Sequence, residues 1–358
     1  MAATLTTTSQ VAPPINFVYQ KGLLQAARKS MPFFNGTNAG ELIKSGGSAS
    51  VKWRRIENLA VAITPLGELT GTAAAFYGRN TVQPTVTDVT LAIQKYGNAI
   101  LTTEETDLFN INTDTAKLVD VMGANAGESL NTLMIPVYQS ASAAQTRRGN
   151  AVATDLTIIT AISLNDIRFS HNLLKRQSAM QFQPSAQGST NIGTSPIRTS
   201  YYGICHPDVE EDIRGLAGFV AVEQYAGYTE VEPYEFGYVS GVRWCSSELA
   251  GLIAVNGATS VAAGFRSTGT QPNDVYSSFI YGKNAIGTIG LGNMHATNSY
   301  EMYDPKKPPA VEIIWKQRGE LGTDIFNEVS SLAWKSWFAG KILNDAWVVH
   351  VKTLATKL

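Results

Sequence analysis

The sequence predicts an α+β fold. Apolar residues alternate at period two over 51–56 and 89–94, and they recur every three or four residues between 113 and 135. Further strand-like runs, at 201–205 and 311–316, are interleaved with helical ones. With 358 residues, 44% of them hydrophobic, the chain can bury one large core or two modest ones.

Residues 1–14 are small and polar and close on Pro13-Pro14, the pattern of an extended arm without a core of its own. A short helix is predicted over 16–30, with Asn16 as cap and Phe17, Leu24 and Ala27 on one face, stopped by Pro32. Val51, Trp53 and Arg55 then alternate with Lys52, Arg54 and Ile56, and Val89, Leu91 and Ile93 with Thr90, Ala92 and Gln94, which reads as the two strands of a hairpin. The stretch between them, 58–84, carries Pro65, Gly67, Gly71 and Gly78 and no helical period. A lone two-stranded ribbon is marginal in water, and long structureless loops in compact domains usually serve a function. The ribbon is therefore expected to lie on another subunit.

Leu118, Met122, Ala126, Leu130, Leu133 and Val137 predict one long helix over about 113–135, capped by Asn112, Thr113 or Asp114 and kinked or ended by Pro136. A second helix is predicted over 163–180, and 181–200 reads as a loop. The strand at 201–205 leads into a helix with Val209, Ile213, Leu216 and Val220 at helical spacing, followed by a mixed region to about Asp304. Beyond the strand at 311–316, the segments 332–343 and 346–352 read as paired strands around an Asn344-Asp345 turn.

Charged residues make up only 16% of the chain, which suits a surface buried against neighbours. The 28 basic and 29 acidic residues leave a net charge of −1, so any contact with nucleic acid must be local and weak. No apolar run is long enough to span a membrane, and the N-terminus lacks the pattern of a cleaved signal, so a soluble, unexported protein is expected. Cys205 and Cys245 sit in apolar contexts outside any Cys-x-x-Cys pair and read as reduced core thiols.

The motifs that carry chemistry are few. His206, Asp208, Glu210, Glu211 and Asp212 are the best candidate metal ligands, but Pro207 suits a first helical position and first-turn acids complement the helix dipole, so a helix start is the preferred reading. The four histidines stand outside any nucleophile motif, and Gly287, Gly290 and Gly292 read as a tight turn rather than a phosphate cradle. Lys52, Arg54 and Arg55 around Trp53 read as inter-subunit ion pairs or solvated charge, with DNA contact as the lesser alternative. Trp334, Trp337, Phe338 and Trp347 read as core and subunit interface.

Several segments, taken together, resemble a known family. They are Ile204-Cys-His-Pro-Asp-Val-Glu-Glu-Asp-Ile-Arg214 with Gly218-Phe219, Gly241-Val-Arg-Trp, Asp274-Val-Tyr, Ile280-Tyr-Gly-Lys283, Gln317-Arg-Gly319 and Trp334-Lys-Ser-Trp-Phe-Ala-Gly-Lys-Ile-Leu343. In order and spacing this set resembles the major capsid proteins of tailed phages, specifically the coat-protein family of N-four-like podophages. That family usually runs from Gln-Arg-Gly directly into Gly-Trp-Lys, whereas here 320–332 intervene and Ala333 stands in place of the Gly. The resemblance implies the Hong Kong 97-type capsid fold: an N-terminal arm (1–34), an extended E-loop hairpin (35–102), a peripheral domain with a long spine helix (103–200, completed by 305–358) and an axial domain (201–304). It implies a non-enzymatic coat protein that self-assembles as pentamers and hexamers into an icosahedral head, made in the host cytoplasm and resident in the virion. Portal and scaffolding or decoration proteins and a weak local contact with packaged double-stranded DNA are the implied partners, with no cofactor, metal or membrane. An encapsulin-like nanocompartment shell is the alternative, and a metal-dependent hydrolase using His206, Asp208 and Glu211 the remote one. The expected inter-subunit contacts are Val51, Trp53, Arg54, Arg55, Leu66, Leu69, Val89, Leu91, Trp334 and Trp337.

Overall fold

The structure, a computed structural model, describes residues 32–40, 50–63, 65, 82–109, 115–182, 199–225, 231–232, 234–253, 264–267, 273–290, 311–320 and 325–357. The expected helix at 16–30, the cap at 112–114, most of the 181–200 loop, Gly292 and the contact candidates Leu66 and Leu69 lie outside these residues.

In chain order the elements are β1 (Asn38–Gly40), β2 (Ser50–Ile56), β3 (Val86–Ala92), β4 (Gln94–Thr103), α1 (Glu104–Phe109), α2 (Thr115–Gln139), β5 (Thr146–Arg148), α3 (Leu164–Arg176), β6 (Tyr201–Cys205), α4 (Pro207–Arg214) and β7 (Val220–Ala221). Then follow β8 (Glu235–Val239), β9 (Val242–Ser246), β10 (Leu252–Ile253), β11 (Val275–Tyr281), β12 (Ile286–Gly290), β13 (Val311–Lys316), β14 (Val329–Ile342) and β15 (Val348–Thr353).

β14 organises the first, five-stranded sheet. β4 pairs antiparallel along one of its edges, from Val329↔Thr103 to Phe338↔Gln94. Along the other edge β13 takes Ser331 to Ser336 and β12 takes Phe338 to Ile342, end to end, with β1 parallel outside β12. Successive side chains of a strand face opposite ways, so Trp334, Ser336 and Phe338 are buried while Ala333, Lys335 and Trp337 are half-buried on the other face. The buried face packs on α2, whose Met122, Ala126, Leu130, Met134 and Tyr138 are enclosed with Phe33, Phe34, Trp334 and Phe338.

The eight-stranded sheet runs β5-β15-β11-β6-β9-β8-β7, with β10 beside β11. Its central strand β11 is buried along its whole length and serves both faces. Phe279 and Tyr281 join the α2 core, whereas Tyr276 and Ile280 join a second core with Ile167, Leu174, Val209, Ile213 and Trp244. A strand covered on both sides reads as a continuous apolar run rather than an alternation.

Four expectations are corrected. First, 332–343 and 346–352 are not a hairpin: β14 and β15 belong to different sheets, β15 pairing with β11 and β5. Asn344 accepts from the Ala346 amide at 3.2 Å and caps a short 3-10 turn that carries the chain across. Second, Pro136 does not end α2, which continues to Gln139. The next residues justify this, because Tyr138 is fully buried, donates its hydroxyl to the Phe33 carbonyl at 2.9 Å and packs edge-on to Phe33 and Tyr281. Burial of such a ring offsets one helix donor lost near the terminus. Third, the helix after Cys205 stops at Arg214, and Val220 starts β7. Val209 and Ile213 suffice to anchor this short helix in the second core. Fourth, Gly287 and Gly290 are not a turn but lie within β12. A Cβ on Gly287 would stand 2.7 Å from the Leu343 side chain, so close packing selects glycine there.

The sheets also cut across the expected boundaries. β15 and β5, from the segments assigned to the peripheral domain, share a sheet with β6, β9 and β11 of the 201–304 segment, while β12 of that segment pairs with β14. The segment 320–332 includes the first residues of β14, with Leu332 opposite both Trp315 and Ile100.

Candidate assembly surface

β2 and β3 form the expected separate two-stranded ribbon, paired Val51↔Leu91, Trp53↔Val89 and Arg55↔Thr87, with the second strand at Val86–Ala92 rather than 89–94. These six residues share one half-buried face. At its base that face rests on the chain itself. The Trp53 ring covers Gly40 so closely that a Cβ there would lie 2.6 Å from it, Arg55 Nη1 donates to the Leu343 carbonyl at 3.3 Å, and Lys341 Nζ donates to the Thr90 carbonyl at 3.1 Å. Trp53 and Arg55 are thus held, in part, by their own subunit.

On the opposite face Lys52 and Arg54 flank Asp88 at 2.9 and 3.0 Å. The Arg54 hydrogen bond, followed by that of Lys52, holds the Asp88 carboxyl far below the usual carboxylate range. Arg55 pairs with Glu57 at 2.7 Å. Each of the three cations therefore has a carboxylate within the ribbon, which leaves little free charge for DNA.

Further out, the ribbon exposes apolar side chains that alternation alone could not separate from its packed base. Ile56, Leu59, Val61, Ile63, Val82 and Val86 are between 46% and 86% exposed. Scattered exposed apolar residues need no explanation, but a run of them on one projecting element marks an interaction site. Their composition was visible in the sequence; that none of the described residues covers them was not.

The tryptophan candidates divide. Trp334 is 3% exposed and donates Nε1–H to Asn125 Oδ1 at 3.0 Å, so it is core and is withdrawn as a contact. Trp337, three residues along the strand and so on the other face, is half-buried beneath Lys95, whose Nζ stands 5.8 Å from the ring centroid.

The residues proposed as metal ligands form the start of α4. His206 is its N-cap, with Nδ1 accepting from the Asp208 amide at 3.1 Å, and Pro207 occupies the first turn. Asp208 accepts from Tyr276 at 2.8 Å and pairs with Arg266 at 3.0 Å, Glu210 pairs with Arg214 at 2.7 Å, and Asp212 accepts from the Thr356 amide at 3.0 Å. Glu211 is 57% exposed. These acids fan round the helix to different partners, and among the described residues no group of three metal-ligating side chains converges. Cys205 and Cys245 are both buried, and the pairing Ile204↔Cys245 and Cys205↔Ser246 points them to opposite faces of the sheet. Burial, first of all, raises both thiols well above their usual range.

No protein-family model matches the chain, and no curated protein matches its sequence. Solved structures do. The capsid of Ralstonia phage GP4 superposes with a TM-score of 0.63 at 11% identity, over 90% of this chain and 88% of that one. The head structure of Helicobacter pylori bacteriophage KHP40 gives 0.54 at 11% identity over 91% of each chain, and the cyanophage Pam1 capsid 0.54 at 12% over 90% and 89%. The class is thereby defined: an α+β chain with the fold of tailed-phage capsid proteins. More closely, it is the Hong Kong 97-type coat fold, and the likeness extends over nine-tenths of the chain.

Proposed function

We propose that this chain is the major capsid protein of a tailed double-stranded DNA phage, self-assembling as pentamers and hexamers into an icosahedral head. The observation that carries the reading is the capsid fold over nine-tenths of the chain, joined to a ribbon whose outer apolar residues have no cover among the described residues. In this reading the ribbon is the E-loop, α2 the spine helix, and Val51, Arg54, Val89, Leu91 and Trp337 lie at or beside contacts between subunits. It is a structural rather than catalytic protein of the virion, assembled in the host cytoplasm, with portal and scaffolding or decoration proteins as partners.

Magnitudes favour a shell over a tight dimer. Covering six partly exposed apolar side chains gains about 1–2 kcal/mol each, roughly what association costs in lost rigid-body freedom. One ribbon contact therefore nearly breaks even, and closed symmetry that repeats it makes the whole stable. Weak individual contacts also let misplaced subunits leave.

Electron microscopy of the expressed protein tests this. Icosahedral particles are expected from the intact chain, and folded subunits without stable shells from a deletion of residues 59–84. A chain that stays monomeric under all conditions, or a deletion that forms equally stable shells, would refute the reading. Enzyme cargo inside the particles instead of DNA would select the nanocompartment alternative.

A further inference from the structure

We infer that the exposed face of α3 is the surface through which the subunit touches the phosphates of packaged duplex DNA; this rests on the capsid reading and adds to it the contacting residues. α3 is amphipathic. Asp166, Ile167, Ser170 and Leu174 are buried toward the sheet, while Arg168, Phe169, Asn172, Lys175 and Arg176 are exposed. The spacing 168, 172, 175, 176 places three cations and an amide along one stripe of the helix. The one carboxylate of α3, Asp166, points the other way, capping the helix through Ser163 and pairing with Arg147 at 2.9 Å.

No carboxylate among the described residues pairs with these three cations, and all three stand on one stripe. Many cations elsewhere are compensated. Lys52 and Arg54 share Asp88, Arg148 and Lys352 share Asp155, and Arg243 pairs with Glu235. In a chain of net charge −1, a stripe of three uncompensated cations is a local positive field of the kind duplex binding requires. Lys283 is exposed too, and its amide donates to the Met180 carbonyl at 2.8 Å just beyond the end of α3, where it extends the same field.

The face suits nucleic acid better than a protein partner. Interfaces between proteins are depleted in lysine and charge at their centre, whereas those with DNA are more polar and more positive. The one exposed ring, Phe169, lies under the Arg147 guanidinium at 4.5 Å, so the stripe offers cations and an amide rather than an apolar anchor. Arg168 to Arg176 span about 12 Å of helix, a length over which duplex DNA presents about seven phosphates. The contact is therefore sequence-independent and weak for one subunit, and it is repeated at every copy in a shell.

The experiment titrates a fluorescein-labelled 30-base-pair duplex with the full chain at 50 to 200 mM salt. Three phosphate contacts predict a slope of log affinity against log salt of about −2.7, a loss of about 40-fold over that range. The triple variant Arg168→Gln/Lys175→Gln/Arg176→Gln is expected to lose most of that slope, each single variant about one third of it, and Lys52→Gln none. A triple variant with unchanged slope and affinity would overturn the inference, as would wild-type binding to polyglutamate but not to the duplex, which would mark an acidic protein as the partner. Electron microscopy of the same samples separates the two readings. Absence of shells from the wild type sinks the capsid proposal, whereas shells from both proteins with no change in slope sink only the assignment of α3.

Discussion

Glu235→Gln removes one charge from a pair that water barely reaches. The side chains of Arg243 and Glu235 are 2% and 0% exposed. Arg243 Nε donates to Glu235 Oε1 at 2.8 Å, with a second bond from Nη2 to Oε2, and Nη1 donates to the Tyr202 hydroxyl at 3.0 Å. The Tyr225 hydroxyl donates to the same Glu235 oxygen at 2.9 Å. Burial pulls the Arg243 pKa down, but the Glu235 hydrogen bond outweighs it and leaves the guanidinium above its ordinary value. Glu235→Gln, Glu235→Leu and Arg243→Met each strand a buried charge, which costs about 3–5 kcal/mol, and the last two are the singles of the cycle. Replacing both by apolar groups, Glu235→Leu/Arg243→Met, removes that penalty and is expected to lie within about 2 kcal/mol of the wild type. Two singles at about 4 kcal/mol and a double near zero imply a coupling well above the usual range for neighbours. The assay is urea unfolding of the unassembled subunit, followed by tryptophan fluorescence, since the fully buried Trp244 adjoins Arg243 in β9. Single variants costing under about 1 kcal/mol, or a double as unstable as the two singles summed, would refute the argument.

Three further outcomes follow from the same geometry. Trp334→Ala should cost the subunit about 3–5 kcal/mol, whereas Trp337→Ala on the opposite face should cost clearly less, as compared by urea midpoints; equal losses would contradict the assignment of faces. Val61→Asp/Ile63→Asp should leave the subunit's unfolding midpoint unchanged and abolish shells seen by electron microscopy, and normal shells would show that the ribbon's outer half is no contact. His350, buried beside Phe279 and hydrogen-bonded to Ser277 Oγ at 2.9 Å, has its pKa pushed down by burial to about 3. Its folded pKa lies below its unfolded one, so the unfolded state binds the extra proton; the stability is whole above about pH 6.5 and falls as pH drops toward 3. The full loss is on the order of 5 kcal/mol, and His350→Gln should flatten the urea midpoint between pH 7 and pH 4.

Local order was legible in the sequence wherever one residue type has one local use. β13 and β6 match the expected strands residue for residue, α3 starts at the capping box of Ser163 and Asp166, and the His206-Pro207 entry to α4 is a helix start. Within each ribbon strand the two faces were legible too, because period two fixes which residues share a face, whereas the register between the strands came only with the structure. Two cases failed for want of distance information. Trp334 and Trp337 are alike in composition and three residues apart, yet odd spacing on a strand sends one into the α2 core and the other outward. The three cations of the ribbon and the three of α3 are equally basic on paper. Only folding brings Asp88 opposite Arg54 and turns Asp166 away from Arg168.

The sequence by itself determined the α+β class, the long helix, the ribbon and the want of a catalytic motif, since these depend on periodicity and residue type over short spans. Only the tertiary structure decided that β14 and β15 part into different sheets, that β12 joins β14 across the 38 residues between Gly290 and Val329, and that the ribbon's outer apolar residues stay exposed among the described residues. The physical reason is that strand pairing and burial are set by partners far away in the chain. Periodicity states which face is apolar, but not what will cover it.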